Sequence, residues 1–232
     1  MADQPSIPEE KSDLTWRDDV PVSDRFDDPY YSLENGLAET RHVFLQGNNL
    51  PARYKDGFHV AELGFGTGLN LLALLQDWRV NRAQGVLHFT TFEAYPLPPK
   101  GMIHAQAAFP ELANLSQELA PYWGKPSFDL PGLRFRMIIG DARETLHQWD
   151  GAADAWFLDG FSPAKNPELW QPDLMQAVFD HTAQGGTAAT YTAAGFVRRG
   201  LETAGFTVTR IPGYGRKRHM TRAEKSAPKD LA

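Results

Sequence analysis

The chain has 232 residues, 42% of them hydrophobic, enough to bury one sizeable core, and no run approaches the roughly 20 apolar residues that a membrane-spanning helix needs. It contains no cysteine, which excludes disulfides, thiolate metal sites and every mechanism that begins with thiolate attack. The net charge of −6 is uneven: residues 1–40 hold 11 acidic and 3 basic side chains, whereas residues 195–232 hold 9 basic and 3 acidic ones.

Residues 1–25 are rich in Pro, Asp, Glu and Ser, and predict an extended or disordered arm without chemistry. Residues 26–57 read as a cap segment, in which Leu37, Val43, Phe44 and Leu45 line one side of a helix that stops near Gly47. The main domain, residues 58–222, opens with FHVAELGFGTGLN: an apolar run ends on Glu62 and passes into glycines at 64, 66 and 68. That order suits a parallel strand that turns abruptly into a helix, with backbone bare enough for a ligand to approach. A buried helix follows on Leu69, Leu71, Leu72, Leu75 and Trp78, then a strand, VLHFTTFEA, ending at Glu93.

Prolines at 96, 98 and 99 break the chain before a mostly helical region from Met102 to about Ala120, interrupted by Pro110. LRFRMII (133–139) is a strand that leads into Gly140, Asp141 and a helix, and AWFLD (155–159) is a short buried strand. After the loop GFSPAKNPELW come a helix to His181, the strand GGTAATYT, the helix AAGFVRRGLETAG, the strand FTVTRI and a last strand around 217–221; residues 223–232 are a tail. Strands alternating with helices predict an α/β fold, a doubly wound and mainly parallel sheet of Rossmann-like type with its ligands at the strand ends.

The glycine turn departs from a dinucleotide fingerprint, because the glycine after Gly66 comes at 68 where that fingerprint has it at 69. This disfavours a pyrophosphate and suits a smaller ligand. No G-x-x-x-x-G-K-[ST] loop or H-E-x-x-H pair occurs, so neither an NTP site nor a metal is expected. Glu93 is either a solvated strand-end acid or the acceptor for two ribose hydroxyls. Gly140-Asp141-Ala142 is either a plain helix N-cap or the grip on an adenine amino group and ring nitrogen. Asp159 either caps the turn after its strand or stands with Phe161 beside the ligand's reactive end. Taken together at successive strand ends, these features make S-adenosyl-L-methionine the expected cofactor.

FDDPYYSLENGLAETRHVFLQGNNL, ELGFGTGLN, FLDGFSPAKNPELW, and GFVRRGLETAGF followed by GYGRKRHM closely resemble the methyltransferase half of MnmC, the bacterial tRNA wobble-uridine modification family whose stand-alone form is MnmD. The likeness covers about residues 26–220. It implies a class I S-adenosyl-L-methionine-dependent methyltransferase with a seven-stranded sheet, converting 5-aminomethyl(-2-thio)uridine of tRNA to the methylaminomethyl form. Fused members carry an FAD-dependent oxidoreductase domain that exposes the amine. No second glycine fingerprint follows the basic end here, so methylation alone is expected, with a separate oxidoreductase supplying the amine.

Asp159 is the expected catalytic group, orienting the amine and stabilising its developing charge. Tyr31, Phe65, Asn70 and Ala94 join Glu62, the three glycines, Glu93 and residues 140–142 as expected cofactor contacts. Phe161, and Tyr30 or Tyr31 with it, are either core or stack on a flipped-out uracil. Lys165, Arg198, Arg199, Arg216, Lys217 and Arg218 are each either solvated surface or phosphate contacts. Without a cysteine, C5 methylation of a pyrimidine is disfavoured, which leaves an amine acceptor in front. The competing readings are an amine methyltransferase for DNA or small molecules, and a non-catalytic cofactor- or RNA-binding protein. The N-terminus lacks the basic and apolar regions of a signal peptide, so a cytoplasmic location is expected.

Overall fold

The computed structural model describes residues 14–17, 20–81 and 84–226. The chain starts with a small antiparallel sheet of β1 (Leu14–Arg17), β2 (Val20–Ser23) and β3 (Asp28–Pro29). Residues 14–17 and 20–23 pair as strands, the extended rather than the disordered form of the arm expected for residues 1–25; residues 1–13 and 18–19 lie outside the described residues. The signal was weak because each strand is only two to four residues long and the acidic flanks dominate the composition.

Helix α1 (Gly36–Thr40) is capped by the Asn35 side chain and widens into a π-helical turn over Arg41–Gln46. The alternating part comprises β4 (His59–Leu63), α2 (Leu69–Val80), β5 (Leu87–Glu93), α3 (Pro99–Gln106), α4 (Ala113–Leu119), β6 (Ser127–Leu130) and β7 (Leu133–Ile139). It continues with α5 (Ala142–Thr145), β8 (Ala153–Leu158), α6 (Pro172–Asp180), β9 (Thr182–Thr190), α7 (Gly195–Ala204), β10 (Thr207–Pro212) and β11 (His219–Glu224). Pro110 interrupts the α3–α4 region as its missing N–H requires, opening a 3-10 turn between the two helices.

Among the described residues the main sheet has eight strands, in the order β10-β11-β9-β8-β4-β5-β7-β6. Only β11 and β6 run against the others. The eighth strand corrects the expected seven: β6 folds back onto β7 through Pro131-Gly132, with Gly132 at φ +79°. SFDL holds a single large buried apolar side chain, Phe128, so neither propensity nor periodicity marks it as a strand.

The central strands β8, β4 and β5 are buried on both faces, as parallel strands between two layers of helices must be. Val60, Phe89, Phe135 and Phe157 pack with α2 and the π-helical turn on one face; Leu63, Phe92 and Trp156 pack with α6 and α7 on the other. The first two turns of α2 are buried on every side, with Leu69, Leu71, Leu72, Leu74 and Leu75 enclosed between the sheet and α1, whereas its end carries Gln76, Asp77 and the exposed Arg79. No described helix is long and apolar enough to cross a membrane.

Candidate functional site

The parallel strands β4, β5, β7 and β8 end on one side of the sheet, and the loops that follow them enclose a cavity of about 1210 Å³. Its floor is the turn after β4. Gly64 and Gly66 have φ of +81° and +53°, and a Cβ would sit 3.2 Å from the Gly160 Cα at the first and 3.0 Å from the Tyr30 ring at the second. Only glycine allows this turn to pass beneath both groups. Gly68 lies behind the cavity, where it precedes α2 and abuts Phe65 and Met102.

Glu93, at the end of β5, reaches back over this turn. Its Oε2 accepts from the N–H groups of Phe65 (2.8 Å) and Gly66 (3.1 Å), and its Oε1 from that of Tyr95 (2.8 Å). The carboxylate thus shapes the glycine turn and still lines the cavity, with about one of its four acceptor positions left. Asp141, at the end of β7, caps α5 by accepting from the Arg143 N–H, and its carboxylate is also gripped by the Arg143 guanidinium, which holds it below the usual carboxylate range. The N-cap reading of Asp141 is therefore correct, and the residue also lines the cavity beside Gly140 and Ala142.

Asp159, at the end of β8, is half-buried in the cavity wall. Burial pushes its carboxyl up to about 6, against the lowering effect of hydrogen bonds from the Gly160 N–H (2.9 Å) and the Asn70 amide (2.7 Å). The Asn70 Nδ2 also donates to Glu62 at 2.8 Å, and its Oδ1 accepts from the Thr40 hydroxyl at 2.9 Å. Glu62 is fully buried, bonded to Asn70 and to the Thr91 hydroxyl, and does not reach the cavity. Burial raises its carboxyl well above the ordinary value. Glu62 supports the floor from below, and the expectation that it lines the site is corrected: its apolar neighbours Ala61 and Leu63 face one side of the sheet while Glu62 points to the other, under α2.

Beyond Asp159 the wall is aromatic. Phe161 stacks on Phe26 (4.6 Å between centroids) and meets the edge of Tyr30 (5.0 Å). Tyr31 lines the cavity near its base, with its hydroxyl on the Ala105 carbonyl and its ring against Phe109. The small N-terminal sheet is fastened here: Asp28 accepts from the Ser162 N–H at 2.8 Å, and Asp27 pairs with Lys165 at 2.7 Å.

Of the expected phosphate contacts, only Arg216 and Lys217 line the cavity, and each is held by an acid, Glu34 and Glu39 respectively. Lys165, Arg198, Arg199 and Arg218 lie outside it. Sequence reasoning missed Thr40, Phe26 and Tyr191. Tyr191, just past the end of β9, lines the cavity, donates to the Gly160 carbonyl at 2.8 Å and carries the Lys217 ammonium 4.2 Å above its ring. Its place at a strand's carboxyl end was a usable signal; Thr40 had none, since its partner stands 30 residues away.

The model of a family described as S-adenosyl-L-methionine-dependent methyltransferase matches residues 110–226. The chain is 48% identical over 233 residues to the tRNA 5-methylaminomethyl-2-thiouridine biosynthesis bifunctional protein MnmC of a Caulobacter species, with 94% of this chain and 38% of the relative covered. It is 45% identical over 246 residues to the protein of the same name from Aeromonas hydrophila, covering 94% of this chain and 36% of that one. The chain thus spans well under half the length of the curated relatives it matches. Among solved structures it is similar to MNMC2 from Aquifex aeolicus, with a TM-score of 0.75 and 27% identity, over 96% of this chain and 73% of that chain. With a family match over half its length and a glycine-floored cavity at the ends of parallel strands, the chain belongs to the S-adenosyl-L-methionine-dependent methyltransferases, and S-adenosyl-L-methionine is its cofactor.

Proposed function

We propose that the chain N-methylates 5-aminomethyl(-2-thio)uridine at the wobble position of tRNA, and that the cavity at the ends of β4, β5, β7 and β8 is the active site. The observation that carries this reading is the placement of one half-buried carboxylate, Asp159, two residues from the aromatic wall of Phe161, Phe26 and Tyr30. An amine on a planar base needs both an acceptor for its N–H and a ring face for the base to lie against. The names of the MnmC relatives point to the same substrate.

The residues fit the cofactor. Backbone at Gly64 and Gly66 leaves room that any Cβ would fill, the remaining acceptor position of Glu93 suits a ribose hydroxyl, and Gly140, Asp141 and Ala142 suit an adenine edge. When bound, S-adenosyl-L-methionine supplies a methyl group activated by its sulfonium charge. Asp159 accepts a hydrogen bond from the aminomethyl nitrogen and aims its lone pair along the line of attack, and placement of this kind removes much of a displacement barrier. As the nitrogen gains positive charge, the same fixed carboxylate stabilises it.

The amine arrives mostly as an ammonium ion at neutral pH and must lose a proton before it reacts. Burial, which pushes the Asp159 carboxyl up to about 6, makes it a better proton acceptor than a solvated aspartate. Phe161 and Tyr30 hold the base and exclude water. The amine itself is taken to come from an FAD-dependent oxidoreductase that removes the carboxymethyl group.

The test is direct. Purified protein with S-adenosyl-L-methionine and tRNA carrying 5-aminomethyl-2-thiouridine should convert that nucleoside to its methylated form, seen by nucleoside mass spectrometry as the gain of one methylene. Methylation of a different nucleoside, or none under conditions where the cofactor binds, overturns the reading.

A further inference from the structure

The expected phosphate contacts divide into cations with and without an acidic partner. Lys165, Arg216 and Lys217 are paired with Asp27, Glu34 and Glu39 at 2.7, 2.9 and 2.7 Å. Among the described residues, Arg198, Arg199 and Arg218 form no ion pair, and neither does Arg210, a residue that the sequence does not single out.

Three of these unpaired arginines meet at one sheet edge. In the β10–β11 ladder Arg210 stands opposite Thr221 and Pro212 opposite His219, so Arg210 and His219 project from the same face. Val208 and Ala223 of that face pack with Val197 and Leu201 of α7, and Arg198 follows Val197 on that helix. Arg218 leads directly into β11. Desolvation, and after it the charges of Arg210, Arg218 and Arg198, lowers the His219 imidazole below its ordinary value.

Two further observations point to an anionic polymer with bases. The Nε of Arg198 is buried without a hydrogen-bond partner, and Phe196, at the start of the same helix, is 46% exposed. Clustered guanidiniums repel unless an anion lies among them, and their planar forks match phosphate oxygens. An exposed ring on the same helix as Arg198 offers a stacking face to an unpaired base. The connection from Tyr214 to Lys217 borders the cavity, so this surface continues outward from the cavity's lip.

We propose that Arg198, Arg210 and Arg218, with His219 and Phe196, form the surface that seats the sugar-phosphate backbone of the RNA substrate next to the reacting nucleotide. This rests on the tRNA reading and goes beyond it by assigning the phosphate contacts to the unpaired arginines and away from Lys165, Arg216 and Lys217.

Fluorescence anisotropy with labelled tRNA over a salt series tests the assignment. The double variant Arg210→Ala/Arg218→Ala should weaken binding by about tenfold or more near 0.15 M salt and reduce the slope of log K against log salt by roughly 1.4 to 1.8, since each phosphate left without its arginine removes about 0.7 to 0.9. Lys165→Ala, outside the cavity, should change affinity less than about twofold. Calorimetric binding of S-adenosyl-L-methionine to every variant reports whether the fold is intact. A double variant that binds the cofactor and keeps the wild-type tRNA affinity and slope overturns the surface. So does a loss in Lys165→Ala equal to that of the double variant. Wild-type protein that binds no tRNA overturns both proposals, whereas tRNA binding with the expected slopes but no methyl transfer overturns the functional reading alone.

Discussion

Asn70 and Asp159 are joined by a 2.7 Å hydrogen bond from an amide nitrogen that also donates to Glu62 at 2.8 Å. Both amide hydrogens are used, and Thr40 occupies the amide oxygen, so turning the Asn70 side chain would break three bonds at once. Asp159 is held in one orientation by a residue that is itself held from behind.

Asn70→Ala should therefore lower kcat by about 10- to 100-fold through loss of positioning. Its second effect is diagnostic: the lost hydrogen bond lowers the Asp159 carboxyl in the wild type, so the variant's acid limb should move to higher pH. Thr40→Val should shift the limb the same way but less. A kcat/KM profile from pH 5 to 8 measures both, and an Asn70→Ala limb at the wild-type position would refute the positioning role.

Asp159 must be ionised to accept from the amine, and burial places its titration near 6. Activity should therefore fall as pH drops through about 6, on top of any effect from the substrate's own ammonium group. Asp159→Asn keeps the shape and removes the charge; a rate loss on the order of 100-fold or more, with the limb near 6 abolished, is the expected outcome. Retention of that limb in the variant would place the titrating group elsewhere.

Gly64→Ala tests the floor. Its φ of +81° strains any L side chain, and the new Cβ would press on the Gly160 backbone, which cannot swing aside as a side-chain tip can. A stability loss of about 1 to 3 kcal/mol is expected, together with weaker cofactor binding. Thermal melts with and without S-adenosyl-L-methionine would show a lower transition and a smaller ligand-induced rise; a variant with wild-type values for both would remove the glycine requirement.

His59 makes stability pH-dependent away from the site. Burial lowers its imidazole to about 4 in the folded chain, against 6.5 as the ordinary value, while its Nε2 lies 2.9 Å from the Thr90 hydroxyl. The depressed value means that the stabilisation is present above about 6.5 and is lost as pH falls towards 4, by an amount on the order of 2 kcal/mol. Chemical denaturation at pH 7 and pH 4.5 should show this loss in the wild type and a smaller one in His59→Gln. Equal losses in the two proteins would show that other groups set the acid sensitivity.

The amino-acid sequence by itself determined the alternation of strands and helices, the glycine turn after β4 and the acids at the ends of successive strands. These are legible because they are local: short stretches rich in apolar, aromatic and β-branched residues, and glycines that free the backbone, mark themselves wherever the chain goes. The tertiary structure decided what each acid and cation does. Glu93 serves the backbone of Phe65 and Gly66, 28 and 27 residues away, and Lys217 is neutralised by Glu39 across 178 residues. Arg210 stays unpaired beside Arg218 for the same reason that Glu62 is sealed under the floor and Asp159 opens onto the cavity. Charge, basicity and availability depend on which distant segments meet and how much water they exclude, and that is settled only when the sheet closes its faces.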